Sequence, residues 1–307
     1  MFRPRFLLAV ATAIPAPLRG GLWIVVSTLF FALTAVIIRH VSAELDSFEI
    51  AFFRNLFGVI FMMPWLMNAG VTRMRTRRLG HYGLRALAAT GAQLCWFTAV
   101  TIMPLADATA LNFTSPLFAV IGAALILGET VGPRRIAAVT VGFLGAAIIL
   151  RPGIEAFTPA AAIVLAASLF QALAQLAARS LSSTESPNAI VLYLSLMMTP
   201  MTGVAALLVW VTPSWQALGW LAVMGFISTL GQQALVRGFR AAEASVVAPF
   251  NYGRLVFAAV LAYFFFGEVA DLWTWVGATV IFGATIYTAR RETRARRSKA
   301  ARGAAEE

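Results

Sequence analysis

Long apolar stretches run through the chain from about residue 20 to residue 290, separated by short connections, several of them basic. A helix must offer about 20 mainly apolar residues to cross the hydrocarbon core of a bilayer. Ten stretches meet that requirement: roughly 21–41, 48–67, 84–103, 105–127, 135–151, 159–179, 188–210, 215–236, 243–266 and 271–289. Backbone groups in lipid must be satisfied within a helix or a closed barrel, and these runs are too long and too apolar for barrel strands. The pattern therefore predicts an all-α membrane protein of ten transmembrane helices.

Composition supports this reading. Hydrophobic residues make up 60% of the 307 positions and charged residues 12%. Soluble domains carry about twice that charged fraction, and a water-soluble fold could not hide so much apolar surface. The net charge of +11 raises the question of nucleic acid. The basic residues cluster between apolar runs rather than along a soluble face, which excludes that partner. Cys95 is the single cysteine, and His40 and His81 are the only histidines. No disulfide, metal site or cofactor is expected.

The basic clusters also orient the chain. With a cytoplasmic N-terminus, 20 of the 24 Lys and Arg residues fall in inside segments, two (Arg39 and Arg151) fall outside, and Arg54 and Arg254 lie within spans. This positive-inside bias puts both termini in the cytoplasm, as in a bacterial inner-membrane protein. The first residues offer a competing reading: a basic Met1–Arg5, an apolar Phe6–Ile14 and small residues at Ala11-Thr12-Ala13 resemble a signal peptide. Cleavage there would invert the topology and place most arginines outside, so residues 1–20 are read as a cytoplasmic leader.

The chain repeats itself. Ala106-Asp107-Ala108-Thr109 opens the fourth span, which ends in Gly128-Glu129; Ala242-Glu243-Ala244-Ser245 opens the ninth, which ends in Gly267-Glu268. Each Gly-Glu leads to a glycine-bearing final span, with Gly142 and Gly145 in one copy and Gly277 and Gly283 in the other. The repeat period is five spans. Five is odd, so the second copy enters the membrane inverted, the usual ground plan of secondary transporters. The expected organisation is a leader 1–20, a five-helix repeat 21–153, an inverted one 159–290 and a basic cytoplasmic tail 291–307. That tail suits anionic lipid headgroups.

Pro104-Leu105-Ala106-Asp107-Ala108-Thr109-Ala110-Leu111-Asn112-Phe113-Thr114-Ser115-Pro116-Leu117-Phe118 resembles the fourth span of the drug/metabolite transporter superfamily in its EamA-domain branch. So do Phe48-Glu49-Ile50-Ala51-Phe52-Phe53-Arg54-Asn55, Arg151-Pro152-Gly153, and Ala248-Pro249-Phe250-Asn251-Tyr252 leading to Gly267-Glu268-Val269. The resemblance covers residues 18 to 292 and implies transport of a small solute. Members similar to this chain handle amino acids, S-adenosylmethionine, riboflavin and metal-chelating opines; direction varies among them, and the ten-span branch, often called an exporter group, favours export only marginally over uptake.

Polar residues within the spans are the candidate solute contacts, because charge in a bilayer is costly and faces the bundle interior. Arg254, near the middle of the ninth span, and Arg54, in the outer half of the second, suit a carboxylate-bearing or zwitterionic solute through the guanidinium fork. Other polar residues share helix faces: Gln93 with Trp96, Gln171 with Gln175, Asn112 with Ser115, and Asn251 with Arg254. Trp96, Tyr193 and Tyr252 offer rings for a planar solute such as riboflavin, the alternative reading. The bland alternative for all of these is helix–helix glue or packing. Pro116 and Pro249 free the carbonyls of Asn112 and Ser245 at matched places in the repeat.

No phosphate loop, no H-E-x-x-H, no G-x-S-x-G and no membrane Asp pair is present, so neither an ATPase nor an enzyme is expected. The expected partners are a small-molecule solute and membrane lipids; a homodimer is left open.

Overall fold

A computed structural model describes residues 16–69, 76, 78–127, 133–150, 158–182, 187–241, 250–251, 253–284 and 286–287. Several expectations concern residues outside these: the leader up to residue 15, Gly128-Glu129, Arg151-Pro152-Gly153, Ala242 to Pro249, Tyr252 and the tail from Arg290. The described residues are helical with connecting turns and contain no strand.

Among the described residues eleven helices follow one another: α1 (Ala16–Val41), α2 (Ser47–Ala69), α3 (Leu79–Ile102), α4 (Leu105–Asn112), α5 (Ser115–Leu127), α6 (Pro133–Leu150), α7 (Pro159–Ser182), α8 (Pro187–Leu207), α9 (Trp215–Ala241), α10 (Gly253–Phe266) and α11 (Leu272–Ala284). Within the described residues six segments are long and apolar enough to cross a membrane: Leu18–Val41, Ser47–Pro64, Leu105–Gly122, Pro159–Ala177, Ala189–Leu207 and Trp215–Leu235. Three shorter apolar helices, Ile136–Ile149, Gly253–Phe266 and Leu272–Ala284, accompany them. Helix α1 starts five residues before the predicted span, with Pro17 in its first turn, where a missing N–H costs nothing.

The predicted fourth span is two helices. Phe113 and Thr114 form a turn between α4 and α5, just before Pro116. Pro116 has no N–H for the Asn112 carbonyl, and the Ser168 hydroxyl of α7 donates to that carbonyl instead, at 3.4 Å. Pro64 and Pro200, by contrast, lie inside the continuous helices α2 and α8.

Side chains that face outward are mostly apolar, including Leu84, Leu87, Val204, Leu207, Phe264 and Leu272. A surface of this kind suits hydrocarbon rather than water. Inside, one cluster of Ile, Leu, Val, Phe and Ala side chains joins helices from both ends of the chain. Small residues bring the helices together, since lipid supplies no hydrophobic drive between them. On α9, Gly231 faces Phe30 and Phe31 of α1, Gly238 faces Ile24, and Gly225 faces Phe57 of α2.

The most extensive helix pairings are α1 with α9 and α3 with α7, followed by α2 with α8 and α2 with α9. Helix α6 meets α11 at Gly145 and Gly277 in a reciprocal contact. A Cβ on Gly145 would meet the Gly277 carbonyl and Ile281, and one on Gly277 would meet the Gly145 carbonyl and Ile149.

Candidate functional site

Two polar constellations occupy the middle of the bundle, and α3 contributes to both. The first surrounds Arg54 on α2. Its Nε donates to Ser228 Oγ of α9 at 2.8 Å, and its Nη1 donates to the neighbouring Asn55 Oδ1 at 3.2 Å. The buried Asn55 amide donates onward to Gln93 Oε1 of α3 at 3.1 Å and to Thr202 Oγ1 of α8 at 3.3 Å. Gln93 Nε2 in turn donates to the Ala51 carbonyl of α2 at 3.4 Å. Four helices from both parts of the chain are thereby tied by one connected network.

The second constellation surrounds Arg254 on the first turn of α10. Its guanidinium lies over the Trp96 ring of α3, 4.7 Å from the centroid, and over Phe31 of α1 at 5.9 Å. Trp96 is one turn from Gln93, so a single face of α3 serves both arginines. Among the described residues neither Arg54 nor Arg254 is paired with a carboxylate. Among the described residues these two cationic side chains within an apolar bundle are held by rings, a hydroxyl and an amide.

The remaining predicted residues are distributed as follows. Asn112, at the end of α4, donates its side-chain amide to Ser168 Oγ at 3.4 Å. Gln171 and Gln175 follow Ser168 along the same face of α7 and are exposed. Asn251 is half-buried in a short turn ahead of α10. Tyr193 is not near Trp96: its ring packs against Tyr82 at 4.7 Å, 14 residues earlier on α3, or about 21 Å along the helix. Sequence reasoning missed Ser228, Thr202, Ser168 and Phe31 as contacts. Hydroxyls and phenylalanines are common along apolar helices, and no local signal marks these four.

At one end of the bundle, Gly267 has φ +67, the left-handed conformation a glycine adopts at a helix C-terminus. Its N–H reaches the Tyr263 carbonyl at 3.0 Å, and the Glu268 N–H folds back to Ala262 at 3.2 Å. The turn directs the Glu268 carboxylate at Arg39 of α1, with which it forms an ion pair. The same carboxylate accepts the Leu105 N–H, an otherwise unpaired donor at the start of α4, at 3.1 Å. The Arg39 guanidinium also lies 4.8 Å over the Phe266 ring.

A bundle of apolar helices around a polar centre is a multi-pass membrane protein in class. The EamA-like transporter family model matches residues 18–151 and again 158–290, and the chain belongs to that family. Relatives resemble it over nearly their whole length. A riboflavin transporter of Vibrio cholerae is 34% identical, covering 91% of this chain and 95% of its own. An S-adenosylmethionine uptake transporter of Rickettsia prowazekii is 30% identical over 94% and 98%. A pseudopaline exporter of Pseudomonas aeruginosa is 32% identical over 88% and 96%. A solved crystal structure shares the fold, with a TM-score of 0.59 at 17% identity over 90% of this chain and 98% of that one. The protein is a multi-pass membrane protein whose family and relatives are transporters of small metabolites.

Proposed function

We propose that the protein is a secondary transporter of a small carboxylate-bearing or zwitterionic metabolite, working by alternating access in a bacterial inner membrane with both termini cytoplasmic. The observation that carries this reading is Arg254: a guanidinium inside an apolar bundle, resting on Trp96 and Phe31 with no carboxylate partner among the described residues. Such a charge is costly in lipid, and an anionic solute neutralises it through the planar fork. Trp96 then offers its face to the rest of the solute. Gln93, Asn112, Asn251, Tyr252, Gln171 and Gln175 are the further contacts, and Arg54 is a second anion-attracting group.

The inverted repeat and the count of ten spans belong to the same proposal. Exchanging the first five spans with the last five carries α1·α9 onto α7·α3 and α2·α9 onto α8·α3, and leaves α2·α8 and α6·α11 in place. The extensive α1·α9, α3·α7, α2·α8 and α2·α9 pairings and the reciprocal Gly145–Ile281 and Gly277–Ile149 contacts support this reading.

A second reading, uptake of a neutral planar metabolite such as riboflavin, is favoured by the rings of Trp96 and Phe31 and by the relatives named as riboflavin transporters. Purified protein in liposomes separates the two. Saturable flux of a carboxylate-bearing solute that falls about 100-fold in Arg254→Ala supports the first. Riboflavin flux that survives Arg254→Ala and is lost in Trp96→Ala supports the second and sinks the first.

A further inference from the structure

We infer that four carboxylates at one end of the bundle form the gate that closes the solute path on that side, with the Arg39–Glu268 pair as its principal lock. The inference rests on the alternating-access reading above. Each carboxylate bonds across the chain, from the first part to the second. Glu268 takes Arg39 and the Leu105 N–H. Asp107 of α4 accepts the Thr274 hydroxyl of α11. Glu49 of α2 accepts the Val211 N–H at 2.9 Å, a shorter bond than the 3.4 Å one to Asp46 beside it. Glu44 takes both the N–H and the hydroxyl of Ser214, at 2.6 and 2.9 Å. Glu44, Val211, Ser214 and Glu268 lie in connections that the arginine distribution assigns to the outside, and Arg39, Glu49, Leu105, Asp107 and Thr274 lie in the helix turns next to those connections.

The chemistry of the clasps suits a contact that opens. Apolar packing of small residues, as between α6 and α11, cannot be exchanged for water without loss. A carboxylate on an N–H, a hydroxyl or a guanidinium can be, because water replaces each bond at the membrane surface. The Arg39 and Glu268 side chains are 23% and 21% exposed, near enough to water for that exchange. Beneath the clasps, the Thr109 side chain on α4 is buried, 1% exposed, and its hydroxyl has no hydrogen-bond partner among the described residues.

The test needs no solute. Thr109→Cys is placed in a Cys95→Ser background, with Asn112→Cys as a second reporter, and a membrane-impermeant maleimide is applied to right-side-out vesicles. Glu268→Gln removes the ion pair and weakens the bond to Leu105, and raises the labelling rate at either reporter about tenfold. The charge swap Arg39→Glu with Glu268→Arg brings the rate back toward that of the parent. The swap and a monodisperse elution profile separate gating from misfolding. Unchanged labelling in a folded Glu268→Gln protein overturns the proposal, and so does a rise seen only from the cytoplasmic face of inverted vesicles. Failure of every solute to show flux would instead count against the transport reading while leaving the labelling result intact.

Discussion

Gly277→Ala adds one methyl group where α11 crosses α6. A Cβ built there lies 2.5 Å from the Gly145 carbonyl oxygen, 2.5 Å from Ile149 Cγ1 and 3.1 Å from Ile149 N. Ordinary contact begins near 3.4 Å. A new rotamer at Ile149 relieves only one of the three clashes, since the other two atoms are backbone. The helices must part by about 1 Å, which opens voids along a close-packed seam. Overpacking of this kind costs about 1–3 kcal/mol, and the gain in helix propensity from Gly to Ala returns about 0.5–1 kcal/mol. The expected net loss is about 1 kcal/mol at mid-range and at most about 2.5 kcal/mol, read as a lower thermal unfolding midpoint in mild detergent. Gly283→Ala is the internal control: it sits on the same helix with nothing within 4 Å, so only the propensity gain remains and the midpoint rises. Gly145→Ala meets Gly277 O and Ile281 Cγ1 at 2.9 Å and demands the same separation. The double variant therefore costs less than the sum of the singles, by about 1 kcal/mol. A Gly277→Ala protein as stable as wild type, or a Gly283→Ala protein equally damaged, refutes the reasoning.

Two further outcomes concern the polar centre. Asn55→Leu strands Gln93 Oε1 and Arg54 Nη1 at once, while the Thr202 hydroxyl keeps its bond to the Met198 carbonyl, and should cost about 2 kcal/mol or more, with part recovered in Asn55→Leu/Gln93→Leu, where two partners leave together; thermal unfolding of both proteins checks it. Ser168→Ala removes the donor that serves the proline-freed Asn112 carbonyl and should cost about 0.6 kcal/mol, the usual size of a hydrogen bond between membrane helices, in the same assay.

Much of the architecture is legible in single stretches of the chain. The apolar runs mark the helices because the bilayer demands an uninterrupted apolar length. Pro116 marks the break in the fourth span because a missing N–H leaves Asn112 without its helical partner. The Gly-Glu pair at 267–268 is visible as a motif, and its glycine proves to be the left-handed turn that aims the carboxylate. Family membership was likewise readable from the segments around Asp107, Arg54 and Asn251.

The partnerships were not legible. Arg54 announces a buried charge but not that Ser228, 174 residues away, receives its Nε. Trp96 and Tyr193 look alike as aromatic candidates, yet one lies under Arg254 and the other packs on Tyr82. Arg39 and Glu268 sit on one predicted side with opposite signs, a hint too common along a charged surface to single them out. The all-helical character of apolar stretches and the cost of a buried charge are properties of a local stretch in lipid, and the sequence by itself determined those. Which polar groups meet depends on helix rotation and crossing, set by where glycines such as Gly225, Gly231 and Gly277 let backbones approach. That is a sum over distant contacts, and only the tertiary structure decided it.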